Sequence, residues 1–173
     1  MPATVQRPTS KLSERMELRY IIAARLRLLH KWNCPWGSDS VPNTARVGEY
    51  GEWVAASYLR AQGLKVLRRN FRWGRRGELD LVCRDGDTLV AVEVKSATSH
   101  HNGDPMRMVN ATKRRLLRAG LSCWLRLLRP EEEIKTRFDV VEVYLLPQTP
   151  PEVRWHRGAF TFAENATRFH DAR

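Results

Sequence analysis

The chain has 173 residues, 42% of them hydrophobic, with 30 Lys+Arg against 19 Asp+Glu for a formal charge of +11. That length supports one domain with a core that needs neither disulfide nor metal to fold, and the apolar content excludes a chain disordered throughout. The three cysteines, Cys34, Cys83 and Cys123, lie far apart without a CxxC pair, which excludes a disulfide framework and a zinc knuckle.

No secretory signal is legible, because the apolar cluster Tyr20–Ala24 runs into Arg25 and Arg27 without a small-residue cleavage pattern. No uncharged run approaches the ~18 residues of a membrane span. A cytoplasmic protein is therefore expected, and the positive surplus points to a polyanionic partner, nucleic acid before an anionic membrane surface, with no membrane partner in the final expectation.

In chain order, Leu12–Lys31 reads as a basic helix, and Asn33–Asn43, with Pro35, Gly37 and Pro42, as a linker; Trp32 and Trp36 are candidates to dock the N-terminal extension. Residues 1–43 are thus an N-terminal extension, 44–163 the main domain and 164–173 a tail. The main domain opens with a helix over Thr44–Gln62, capped by Asn43 or Thr44 and ended at Gly63, with Val47, Gly51, Val54 and Tyr58 as its buried stripe. Strands follow at Leu64–Phe71, Glu78–Arg84 and Thr88–Ser96. The first two are joined by the basic turn Trp73–Gly77 and the last two by the hairpin signal Asp85-Gly86. A loop, Ala97–Pro105, leads into a helix over Met106–Leu128. Arg137–Leu146 and Val153–Phe162 read as further strands. The order α-βββ-α-β-β gives an α/β fold, a mixed sheet flanked by helices.

Two acidic segments face each other across the Asp85-Gly86 turn: Gly77-Glu78-Leu79-Asp80 and Val92-Glu93-Val94-Lys95. A two-residue turn places Arg84 opposite Asp87, Asp80 opposite Ala91 and Glu78 opposite Glu93. Asp80 and Glu93 then become diagonal neighbours on one face, roughly 7–8 Å apart. A single carboxylate there reads as a solvated cross-strand partner. The set reads differently, because Leu79, Leu81, Val90, Val92 and Val94 make both strands look buried, where charge needs a partner or a metal. Hard oxygen donors suit Mg²⁺ or Mn²⁺. Lys95, beside such an ion, could position a water and offset charge on a phosphate in transition.

The sequence resembles the YraN family. The resemblance is carried by Gly51-Glu52 with Ala55, Tyr58 and Leu59, then Gly63, Asn70-Phe71-Arg72, Gly77-Glu78-Leu79-Asp80-Leu81, Val92-Glu93-Val94-Lys95, Lys113 and Arg137-Phe138-Asp139-Val140-Val141, with Val153-x-Trp155 and Ala159-Phe160 beyond them. It spans roughly residues 45 to 162 and implies a restriction-endonuclease-like fold of the PD-(D/E)xK class, with nuclease activity. It implies Asp80 and Glu93 as metal ligands helped by the Val94 carbonyl, Lys95 as catalytic lysine and Glu52 as an accessory acid. The sequence departs from the family pattern after Lys95, where Ala97 stands in place of a common arginine.

Lys113 falls on the buried side of its helix and is expected either to snorkel or to reach the site. Arg72, Arg75 and Arg76 around Trp73, together with Arg114 and Arg118, are candidates for phosphate contacts, as are Arg68, Arg69 and Arg115. His100-His101 point apart and suit no shared metal, Asp139 is expected to pair with Arg137, and Trp124 to sit in the core or an interface. The expected activity is a Mg²⁺- or Mn²⁺-dependent nuclease acting on DNA rather than RNA, with a homodimer as one possible assembly. The alternatives are an inactive nucleic-acid-binding module of the same fold and a protein-interaction adaptor.

Overall fold

The computed structural model describes residues 43–74, 77–100, 109–147 and 149–160. The expected N-terminal helix and linker, Arg75, Arg76, His101 and the tail lie outside the described residues. Within them the order is α1 (Thr44–Ala61), β1 (Lys65–Trp73), β2 (Gly77–Asp85), β3 (Thr88–Ala97), α2 (Ala111–Leu128), β4 (Thr136–Tyr144) and β5 (Glu152–Phe160). The five strands form one sheet in sequence order, antiparallel throughout except for the β3–β4 pair, which is parallel with α2 between its strands. This is the α-βββ-α-β-β mixed sheet of a restriction-endonuclease-like domain.

The two helices cover opposite faces. α1 buries Val47, Tyr50, Val54, Ala55 and Leu59 against Leu81, Cys83, Val90, Val92, Val141 and Val143. α2 buries Leu117 and Leu121 against Phe71, Leu79, Val82, Ala91, Phe138 and Val140. Neighbouring residues of β3 and β4 divide cleanly between the two clusters, as period-two strands buried on both faces must.

Asn43 is the α1 N-cap, its Oδ1 accepting Ala45 N–H at 2.8 Å, and Gly63 at φ +93° lets the chain leave the helix. The second helix begins at Ala111 rather than Met106. Asn110 is extended (φ −65°, ψ 167°), and its side chain accepts Lys113 N–H at 2.9 Å as the N-cap. Met106 itself lies outside the described residues.

Two glycines fix how closely the helices lie on the sheet. A Cβ on Gly51 would stand 1.7 Å from Ser96 Oγ, so α1 rests on the end of β3 next to Lys95. A Cβ on Gly77 would stand 2.6 Å from Gly120 Cα, so α2 lies directly on the start of β2. Lys113 is seven residues before Gly120, two helical turns along the same face, and this contact aims it at the sheet.

The register of the β2–β3 hairpin differs from the expected one. Asp85 pairs with Thr88, Arg84 with Leu89 and Leu81 with Val92, so the turn residues are Gly86 and Asp87. Gly86 has φ +61°, the positive value a tight hairpin demands at its first central position. Arg84 Nε donates to the Gly86 carbonyl at 2.7 Å, and Lys135 Nζ holds Asp87 at 2.6 Å. The shift is two residues, so the faces are kept, and Asp80 moves from a diagonal position to one beside Glu93.

Candidate active site

Regular β2–β3 pairing ends at Leu81 and Val92. Asp80 turns its carboxylate into the gap instead, and Oδ2 accepts the Val94 N–H at 2.8 Å. On the other side of β2, Asn70 of β1 adopts a left-handed φ of +50° between the Arg69–Leu81 and Phe71–Leu79 pairs. Leu79 and Leu81, two residues apart, consequently pack into different clusters. The strand changes face at Asp80, and the change opens the site.

Asp80 and Glu93 are buried, at 8% and 2% exposure. Glu93 is held from two sides: Lys95 Nζ lies 2.9 Å from Oε1 and Lys113 Nζ 3.0 Å from Oε2. Oε2 is buried and accepts no aligned hydrogen bond, so the Lys113 contact is ionic. Burial and then the Glu93 charge push the Asp80 carboxyl up to about 7, against the pull of the Val94 N–H and Lys113. Burial alone would lower Lys113, but Glu93 and Asp80 outweigh it and hold the ammonium above its ordinary value. Two buried acids therefore share a pocket with two lysines, and one acid carries less than a full charge near neutral pH.

The structure brings together Asp80, Glu93, Val94, Lys95 and Lys113. Glu52 stands outside the pair. Its neighbours are Asn70, whose side chain bonds it, Arg69, Glu49 and Glu78, and burial raises its carboxyl while Asn70 and Arg69 oppose the rise. Its Oε2 is buried with no hydrogen-bond partner. Among the described residues no group of three or more His, Cys, Asp and Glu side chains is arranged to hold a metal ion. The pair Asp80–Glu93 nonetheless fits a hard divalent ion: the donors are oxygens, the acids repel, and Glu93 has an oxygen without an aligned donor. Two carboxylates leave the remaining positions to water and substrate, the habit of Mg²⁺.

The arginine candidates separate. Arg72 pairs with Glu78 at 2.9 Å on the surface, so Glu78 is spoken for outside the pocket. Arg114 donates to the Val109 carbonyl at 2.9 Å, and Arg114 and Arg118 lie 5.5 and 5.6 Å from the Phe160 ring centre. Their guanidinium groups fasten α2 to β5 through cation–π contacts. His100 sits against the Tyr144 ring and 3.6 Å from Glu152, away from the carboxylate pair. Asp139 is structural, accepting from Arg137, Trp155 Nε1 and Gly158 N–H at 2.8–3.0 Å.

Two further residues carry sequence signals of their own. Asn70 is a residue disfavoured in strands, placed mid-strand. Glu142 lies between Val141 and Val143, as Glu93 lies between two valines. It is 3% exposed, in register with Lys95, and bonded to His156 Nε2 at 3.0 Å and Tyr144 OH at 3.3 Å.

The pattern of the Uncharacterised protein family UPF0102 matches residues 51–143, a span that holds every group of this pocket. A UPF0102 protein of Geobacter metallireducens is 41% identical over 104 residues, 60% of this chain and 84% of its own. One from Solibacter usitatus is 44% identical over 115 residues, 65% of this chain and 84% of its own. One from Symbiobacterium thermophilum is 43% identical over 115 residues, 66% of this chain and 96% of its own.

Proposed function

From the premise that the chain belongs to the UPF0102 (YraN) family, of PD-(D/E)xK-like fold, we propose that it is a nuclease dependent on Mg²⁺ or Mn²⁺ that hydrolyses phosphodiester bonds, with DNA as substrate before RNA. The observation that carries the proposal is the buried Asp80–Glu93 pair, opened by the strand break at Asp80 and flanked by two lysines.

Asp80 and Glu93 would hold the ion, with the Val94 carbonyl as the further oxygen that the family resemblance implies. When bound, a divalent ion lowers the pKa of water and withdraws charge from a phosphate oxygen. Lys95, one-third exposed and tied to Glu93, reaches the open side of the pocket. It hydrogen-bonds the attacking water and offsets the charge that gathers on the phosphate oxygens. Lys113 faces Glu93 from the α2 side and offers it a counter-charge. Glu52 acts through Asn70, steadying the break in β1 opposite Asp80. The positive surface draws the polyanion in. No helix among the described residues is long and apolar enough to cross a membrane.

A second reading is a nucleic-acid-binding module without turnover. It is favoured by one observation: both oxygens of Glu93 already face ammonium groups. Calorimetric titration with Mn²⁺ separates the two. The nuclease reading expects saturable binding to the wild type that is lost in Asp80→Asn; the absence of binding to the wild type favours the inert module.

A further inference from the structure

Two groups of described arginines contrast. Arg72, Arg137, Arg154 and Arg157 face carboxylates at 2.6–2.9 Å. Arg60, Arg68 and Arg69 form no ion pair among the described residues, and together with Val66 and Leu67 they line a cavity of about 340 Å³ at the α1–β1 corner. Arg69 Nε is buried there with no hydrogen-bond partner.

Consecutive strand residues ordinarily face opposite sides of a sheet. Here β1 is irregular on both flanks of the pair. A bulge between Val66 and Arg68 leaves Leu67 as the extra residue, and Asn70 is left-handed. Arg68 and Arg69 nonetheless line one cavity at this edge, and Arg60 joins them from the last turn of α1. For Arg60 alone, favourable contact with the helix C-terminus is sufficient reason to be there. It is not sufficient for three cations of which only Arg69 has an acid, Glu52, within electrostatic reach and none is held in an ion pair, and which repel one another until an anion arrives. The planar fork of arginine matches a phosphate with two parallel hydrogen bonds.

The same strand runs on to Arg72 and to Trp73, which is 48% exposed. β1 is a sheet edge, and its four cations, Lys65, Arg68, Arg69 and Arg72, oppose pairing with a second copy of itself. Arg69 to Trp73 covers about 13 Å, at ~3.3 Å per strand residue. That length spans several phosphates at the ~3.4 Å rise of a nucleic-acid strand.

We propose that Arg60, Arg68 and Arg69 form a phosphate-binding subsite, separate from the carboxylate–lysine pocket, that holds the backbone of a nucleic-acid strand lying along the β1 edge. The proposal rests on the nucleic-acid reading above. It is tested without turnover, by fluorescence anisotropy of a short labelled duplex and a short labelled single strand in EDTA across a salt series. Each lost phosphate contact flattens the plot of log affinity against log salt by ~0.9 for duplex or ~0.7 for single strand.

Arg68→Gln/Arg69→Gln should flatten the duplex slope by about 1.8, as the same rule gives for two contacts. Arg68→Lys/Arg69→Lys should keep most of the slope, and Arg126→Gln/Arg129→Gln, elsewhere on the surface, should leave it unchanged. A slope in the glutamine variant equal to wild type overturns the subsite while nucleic-acid binding stands. If the glutamine variant does not fold, the decision passes to Arg60→Gln, which should flatten the slope by about half as much; an unchanged slope there overturns the subsite. Wild type that binds neither probe removes the nucleic-acid reading and the subsite together.

Discussion

Replacing Asp80 by asparagine is expected to stabilise the metal-free protein, by an amount that grows above pH ~4 and is complete only above about 7. Asp80 is 8% exposed beside Glu93, and its carboxyl is raised from 3.8 to about 7. The folded protein thus holds this proton more tightly than the unfolded chain. Its contribution is fully present below pH ~4 and is lost as pH rises through about 7. Three pH units of difference correspond to about 4 kcal/mol. Asparagine keeps an oxygen that can accept the Val94 N–H, so the substitution removes the charge and little else. A domain of this size moves roughly 3–5 °C in Tm per kcal/mol. In EDTA, Asp80→Asn should therefore melt on the order of 10 °C above wild type at pH 8 and close to it at pH 4.5. Adding Mn²⁺ at pH 8 should raise the wild type and leave the variant where it was. A wild type as stable as the variant at pH 8, or a difference that does not change with pH, would refute the picture of two acids confined together.

Lys113→Met leaves buried Glu93 with Lys95 as its remaining counter-charge and should cost about 1–3 kcal/mol in denaturant melts, less than a fully buried pair because Lys113 is 24% exposed. Lys113→Met/Glu93→Gln should recover most of that loss, and a double variant no better than the single would contradict the pairing. Gly51→Ala drives a Cβ to 1.7 Å from Ser96 Oγ and should cost about 2–3 kcal/mol, with partial rescue by Ser96→Gly measured in the same melts. Asn70→Ala should lose about 1–2 kcal/mol to its left-handed φ of +50°, whereas Asn70→Gly should relieve the strain but still lose the bond to Glu52.

Element types and faces were legible because both follow from the spacing of apolar residues, which a two-residue slip does not disturb. That is why Asp80, Glu93 and Lys95 could be placed on one pocket while the register was wrong. Asp85-Gly86-Asp87 offers its glycine as either central residue of the turn, and the choice is made by partners far off, Lys135 among them. The start of α2 at Ala111 is set by the capping amide of Asn110, a choice that apolar spacing alone does not reveal. Lys113 was readable from its place among Val109, Leu116 and Leu117. The contacts of Arg114 and Arg118 with Phe160 were not readable, because that ring is more than forty residues away. Glu52 matched its motif, but only the fold reveals that its partners are Asn70 and Arg69.

The central claim, a phosphodiesterase centre built on Asp80, Glu93 and Lys95, is tested most directly by cleavage. Purified protein is incubated with labelled duplex, branched and single-stranded DNA and RNA, with Mn²⁺ or Mg²⁺ and with EDTA, beside Lys95→Ala. The account predicts strand scission of at least one substrate that requires the ion and is abolished in Lys95→Ala. Uncut substrates throughout, or equal cutting by Lys95→Ala, would contradict it.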